Sequence, residues 1–159
     1  MVIDADALNI LAVNKELLKH IPAGSVITPH PGEFERLFGA SANDFERLEL
    51  ARKKSLELNL YILLKGHYSF ISTPGGIIYF NSTGNSGMAT GGSGDVLTGI
   101  ITGLLAQGYT PPGAAQIGVY IHGLAGDHAV NKYGSEAMIA GDIINDMGNA
   151  FKDICTRIL

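Results

Sequence analysis

The sequence predicts an α/β layered fold, with a mainly parallel central sheet held between helices. Three observations carry this expectation. Leu60-Tyr61-Ile62-Leu63-Leu64 is a continuous apolar run of strand length, the pattern of a strand covered on both faces. Short apolar runs alternate with helical patterns up to a glycine-rich loop at 81–92. Beyond that loop, everything reads as helix. The chain has 159 residues, room for one domain (1–159) with its own core.

Val2-Ile3 has the composition of a strand end, and so short a strand means either that the strand is truncated or that the chain lacks an N-terminal part. From Ala7 to about His20, Leu8, Leu11, Ala12, Leu17 and Leu18 recur at helical spacing. Ser25–Thr28 is a short strand, after which Pro29 and Pro31 exclude regular structure around His30. Glu33–Phe38 is a short helix. Asn43–Leu58 is a longer one, with Phe45, Leu48, Ala51 and Leu58 expected on its buried face. Tyr68–Ser72 and Ile77–Phe80 flank Pro74-Gly75-Gly76 as a hairpin. Three helices follow, at about Ser93–Gln107, Pro112–Tyr133 and Gly141–Ile158.

Composition narrows the function classes. Charged residues are 16% of the chain, against about a quarter in typical domains, so much of the surface is expected to be covered in a core, at a subunit interface or by a missing partner segment. The net charge is −4 and the basic residues are scattered, which argues against nucleic-acid binding. One cysteine, Cys155, excludes a disulfide framework and a cysteine-rich metal site. The uncharged stretch Val96–Gly126, broken by a Gly/Pro segment at 108–113, reads as two buried helices, not membrane spans. A cytoplasmic protein is expected.

The chemistry is concentrated at Gly91-Gly92-Ser93-Gly94-Asp95. Glycine lets backbone approach a ligand closely, and the helix that follows presents unpaired N–H groups and a positive dipole end. Together these make an anion site. Its apolar stripe is Val96, Leu97, Ile100, Ile101, Leu104 and Leu105. Asp95 is the only charged side chain between Lys65 and Asp127. It reads either as a helix-start carboxylate favoured by the dipole or as a general base beside bound phosphate. Five glycines between Gly84 and Gly94 exceed what capping needs and favour the second. A lysine-containing P-loop and a dinucleotide fingerprint are both excluded by the residues present.

Other positions stay open on the residues alone. Asp4 and Asp6 follow a strand end and suit either a cation or phosphate contact or a structural turn. His122 and His128 fit packing or capping roles. Gly99 and Gly103 suggest close helix packing.

Ala89–Leu97 resembles the anion-hole motif of the ribokinase-like superfamily. Thr28-Pro29-His30-Pro31-Gly32-Glu33 resembles the hallmark of its NAD(P)H-hydrate dehydratase branch, as do Asp4–Asn9 and Tyr120–Asp127. The resemblance implies a ribokinase-like fold with an N-terminal part missing. It implies nucleotide-dependent dehydration of hydrated NADH or NADPH, by phosphoryl transfer to the ring hydroxyl and elimination of phosphate. ADP or ATP would be the co-substrate, with Mg²⁺ assisting. Asp95 matches the family's base and substrate contact, and His30 its substrate-binding histidine. Lys65, Gly66, His67, Tyr68 and Ser69, with Gly91, Gly92, Ser93 and Gly94, match nucleotide-binding positions. Family members carry a further N-terminal segment with part of the substrate pocket. The chain is therefore expected to keep the nucleotide half-site and to turn over poorly, as a homo-oligomer. The alternatives are a small-alcohol kinase, such as one acting on a vitamin precursor, and a nucleotide-binding module without turnover.

Overall fold

The computed structural model describes residues 1–157. Strands β1 (Val2–Ile3), β2 (Val26–Ile27), β3 (Tyr61–Leu64), β4 (Phe70–Ser72) and β5 (Ile78–Phe80) form one sheet in that spatial order. Pairs β1–β2 and β2–β3 are parallel, while β3–β4 and β4–β5 are antiparallel. The helices are α1 (Asp6–Val13), α2 (Pro31–Phe38), α3 (Asp44–Leu58), α4 (Ser93–Ala106), α5 (Pro111–Tyr133) and α6 (Ala140–Arg157). The predicted helix end at Ile158 lies outside the described residues.

The pleat of the sheet sorts its side chains into two layers. Ile27, Ile62, Leu64 and Phe70 pack against Leu8 and Leu11 of α1, Phe34 and Leu37 of α2 and Ala51 of α3. Val26, Leu63 and Ile71 face the other way, onto Leu97, Ile100, Ile101 and Leu104 of α4 and Ala114, Ala115 and Val119 of α5. Alternation along a strand forces this division, and β3 needs apolar residues at every position because both faces are covered. A third layer joins α5 to α6 through Ile121, Ala125, Ile143 and Ala150. Lys132 also pairs there with the buried carboxylate of Asp146.

Three sequence expectations need correction. The helix predicted to run from Ala7 to His20 breaks at Asn14, and Lys15–His20 is a 3₁₀ segment. Phe45 is exposed, not buried. At roughly 100° per residue it falls about a quarter turn off the stripe set by Leu48, Ala51, Ser55 and Leu58. Gly99 and Gly103 face open space. The close helix contact is made from α5, where a Cβ on Gly118 would lie 2.7 Å from Cγ1 of Ile101.

β1, β2 and β3 run parallel, so the residues after them emerge at one edge: Asp4 after β1, Thr28–His30 after β2 and Lys65 after β3. Ligands of open α/β sheets bind at this carboxyl edge.

Candidate active site

At that edge lies a cleft of about 570 Å³. One wall is His30 and Pro31 from the start of α2, with Lys65, Gly66, His67 and Ser69 from the β3–β4 turn. The opposite wall is the loop 81–90, including Asn81, Thr83, Asn85 and Thr90. Ser93, Gly94 and Leu97 of α4, with Val119, His122 and Gly123 of α5, close its base.

The N-terminus of α4 enters this cleft without a side-chain cap. Its N-cap is Gly92, held at φ +87°, a conformation that disfavours any residue with a Cβ. Ser93 N–H bonds to Thr90 O, but the N–H groups of Gly94 and Asp95 have no acceptor among the described residues. Unpaired amides at a helix start carry partial positive charge and await an acceptor. Asp95 sits in the same first turn, exposed, its carboxylate free of partners among the described residues.

The N-terminus of α2 is finished differently. Nδ1 of His30 accepts from the N–H groups of Gly32 at 3.1 Å and Glu33 at 3.3 Å. Oε2 of Glu33 in turn accepts from His30 N–H at 2.8 Å, which completes a capping box. An accepting Nδ1 puts the ring proton on Nε2, which lies 3.5 Å from Oε1 of Glu33. His30 is half exposed and lines the cleft while capping its own helix.

Two further groups steady the α4 end. His122 of α5 is buried, and its Nε2 donates to Ser93 O at 2.9 Å. Burial pushes the His122 pKa down to about 4, the Ser93 carbonyl opposes this, and the Lys65 charge adds to the lowering. The ring is therefore neutral near pH 7. Lys65 Nζ lies 2.7 Å from Oδ1 of Asp4, whose Oδ2 accepts from Thr98 Oγ1 at 2.8 Å.

The loop wall is seated on α5. A Cβ on Gly123 would lie 2.2 Å from Thr83 Oγ1 and 2.6 Å from Thr83 backbone, so only glycine admits the loop here. Thr83 Oγ1 donates to Tyr120 O at 2.9 Å. Asp127 accepts from Gly84 N–H at 3.0 Å and Asn85 Nδ2 at 2.9 Å.

Of the residues singled out in the sequence, His30, Lys65, Gly66, His67, Ser69, Ser93 and Gly94 meet around one cleft. Gly91, Gly92 and Asp95 stand beside it, outside its lining. Tyr68 is exposed, its ring edge-on to His67 with centroids 4.4 Å apart. Sequence reasoning missed the loop polar residues Asn81, Thr83, Asn85 and Thr90. Asn85 is marked by its turn chemistry, since its side chain accepts from Gly87 N–H. Thr90 lies inside the Ala89–Leu97 motif, and Asn81 and Thr83 carry no pattern that separates them from ordinary loop residues.

Comparison with known proteins gives the geometry a context. The family model described as NAD(P)H-hydrate dehydratase matches residues 1–148. A bifunctional NAD(P)H-hydrate repair enzyme from Moorella thermoacetica is 51% identical over 146 residues, covering 91% of this chain and 28% of the relative. Two solved structures superpose closely. An ADP/ATP-dependent NAD(P)H-hydrate dehydratase from Bacillus subtilis, co-crystallised with ATP/Mg²⁺, gives a TM-score of 0.80 at 30% identity, over 96% of this chain and 55% of that one. A ribokinase-like superfamily protein from Enterococcus faecalis gives 0.83 at 31% identity, over 96% of this chain and 52% of that one. The chain thus spans 28% of the curated repair enzyme and about half of each solved relative.

Proposed function

The chain belongs to the NAD(P)H-hydrate dehydratase family, and on that premise we propose that its cleft binds ADP or ATP and takes part in restoring hydrated NADH or NADPH. The observation that carries the proposal is the α4 N-terminus, which opens uncapped on the cleft with the Lys65 ammonium beside it. A helix start and a lysine together favour a phosphate group.

In this reading the N–H groups of Gly94 and Asp95 and the Lys65 ammonium hold the transferring phosphoryl group. Asp95 takes the proton of the substrate's ring hydroxyl as its oxygen bonds to phosphorus and the bond to the nucleotide's leaving oxygen breaks. Phosphate then leaves the ring carbon with its electron pair, and loss of a neighbouring ring proton restores the double bond. His30 contacts the substrate from the α2 side, and Gly66, His67, Tyr68, Ser69, Gly91, Gly92 and Ser93 border the nucleotide.

Mg²⁺, bound with the nucleotide, would offset charge on the phosphoryl oxygens. Among the described residues no three His, Cys, Asp or Glu side chains converge on a metal position. Mg²⁺ commonly binds with one or two carboxylates and substrate phosphates, and Asp95 is, among the described residues, the carboxylate left without a partner beside the cleft.

We place the protein in the cytoplasm as a homo-oligomer acting on small molecules. No helix among the described residues is long and apolar enough to cross a membrane. Ile144 and Phe151 leave apolar surface uncovered on α6, in keeping with self-association.

The test is incubation of the full chain with hydrated NADH and either ADP or ATP. Slow recovery of NADH, with one phosphate released per turnover, is expected; ADP binding with no NADH recovered would point to a nucleotide-binding module. A stable phosphate ester formed from a small alcohol, with no NADH recovered, would point to a kinase.

A further inference from the structure

We propose that Asp4 is a positioning residue, which holds the Lys65 ammonium against the open first turn of α4. The inference rests on the nucleotide reading above for its effect on binding, but its geometry stands independently.

The Asp4 carboxylate is 8% exposed, so it needs partners, and both its oxygens have one. Oδ1 takes the Lys65 ammonium at 2.7 Å, and Oδ2 takes the Thr98 hydroxyl at 2.8 Å. One carboxylate thereby joins the end of β1, the end of β3 and the second turn of α4. Sequence reasoning left Asp4 open between a cation or phosphate contact and a structural turn. A carboxylate repels a phosphate, so its route to one runs through Lys65.

Lysine is a compact charge on a flexible stem, and an untethered one swings toward water. Here one of its three donors is committed to Asp4, while the side chain lines the cleft. The ammonium lies where the α4 amides are unpaired: a Cβ on Gly94 would be 3.3 Å from Lys65 Nζ and 3.8 Å from Asp4 Oδ2. Glycine at 94 leaves that space open. The backbone after Asp4 is also unusual. Ala5 has φ +50°, a region that residues with a Cβ rarely adopt, and such strain persists where surrounding contacts fix it.

Asp4→Asn keeps the shape and an acceptor for Thr98 but removes the charge that holds Lys65. Calorimetric titration with ADP should show a dissociation constant raised roughly tenfold, the scale of one charge-assisted contact. Thr98→Val should raise it by about threefold through the weakened carboxylate. Neither change should weaken binding further in a Lys65→Met background, because the group being positioned is gone. Wild-type affinity in Asp4→Asn would overturn the proposal. So would losses that simply add to that of Lys65→Met, the behaviour of a merely structural residue.

A second readout needs no nucleotide. Acylation of Lys65, followed by mass spectrometry against exposed Lys53, should be slow in the wild type, where Asp4 holds the ammonium, and several-fold faster in Asp4→Asn. If the wild-type chain binds no ADP, the nucleotide reading fails, and this labelling alone decides the role of Asp4. Faster labelling then upholds it, and equal rates overturn it.

Discussion

Two helix N-termini open on the same cleft, and they are completed in opposite ways. At α2, His30 and Glu33 exchange hydrogen bonds and leave the helix start satisfied from within. At α4, glycines replace the cap, and the amides of Gly94 and Asp95 stay unpaired beside Lys65. Capping stabilises a helix by about 1 kcal/mol; α2, α3 and α5 are capped, while α1 and α4 are not, and of these two only α4 opens on the cleft. On the proposed reading, the difference separates a wall that shapes the cleft from an end open to a phosphate.

The comparison breaks most sharply at Asp95. Asp95→Asn should lower turnover by at least about 100-fold while ADP affinity stays near wild type, because a base is lost and the amides remain. Steady-state kinetics beside calorimetry measure both, and unchanged turnover would remove Asp95 from its role as base.

Acid should loosen the α4 end through His122. His122 has its pKa depressed to about 4, so the folded chain keeps it neutral while the unfolded chain protonates it below 6.5. The unfolded state then binds more protons, and stability falls as pH drops from 6.5 toward 4, by up to about 3 kcal/mol. Denaturant midpoints across that window test the claim. His122→Gln should flatten the profile, and a profile unchanged by that substitution would contradict it.

Gly123→Ala should cost about 1–3 kcal/mol by forcing loop 81–90 off α5, and it should weaken ADP binding through the displaced wall. Full affinity in this variant would mean that the loop does not border the nucleotide. His30→Ala should give the smallest change, about 1 kcal/mol of stability from the lost cap, and should weaken substrate more than nucleotide. His30→Asn should restore the cap but not the substrate contact. If it restores both, His30 acts by capping alone.

Much of this was legible in the sequence because its causes are local. Apolar spacing marked the β3 run and the α4 stripe, and the Pro-Gly-Gly hairpin followed from turn chemistry. The glycine cluster announced an open helix start. What escaped depends on partners distant in the chain. Nothing near Asp4 says that Lys65, 61 positions on, will take its carboxylate. Nor does the pattern at Gly123 reveal that Thr83 will lie on it, whereas Gly99 and Gly103, spaced like a packing motif, face open space. The capping role of His30 was hidden for another reason. Histidine is an uncommon cap, and the two prolines around it drew attention to the loop, away from the helix they begin.

The central claim is that α4 receives phosphate at its open start while α2 does not. Amide ¹H–¹⁵N shifts of the 159-residue chain during ADP titration test it most directly. The account predicts saturable shifts at Gly94 and Asp95, with Gly32 and Glu33 nearly still because they already donate to His30. Saturable shifts at Gly32 and Glu33 with Gly94 and Asp95 unmoved would contradict it.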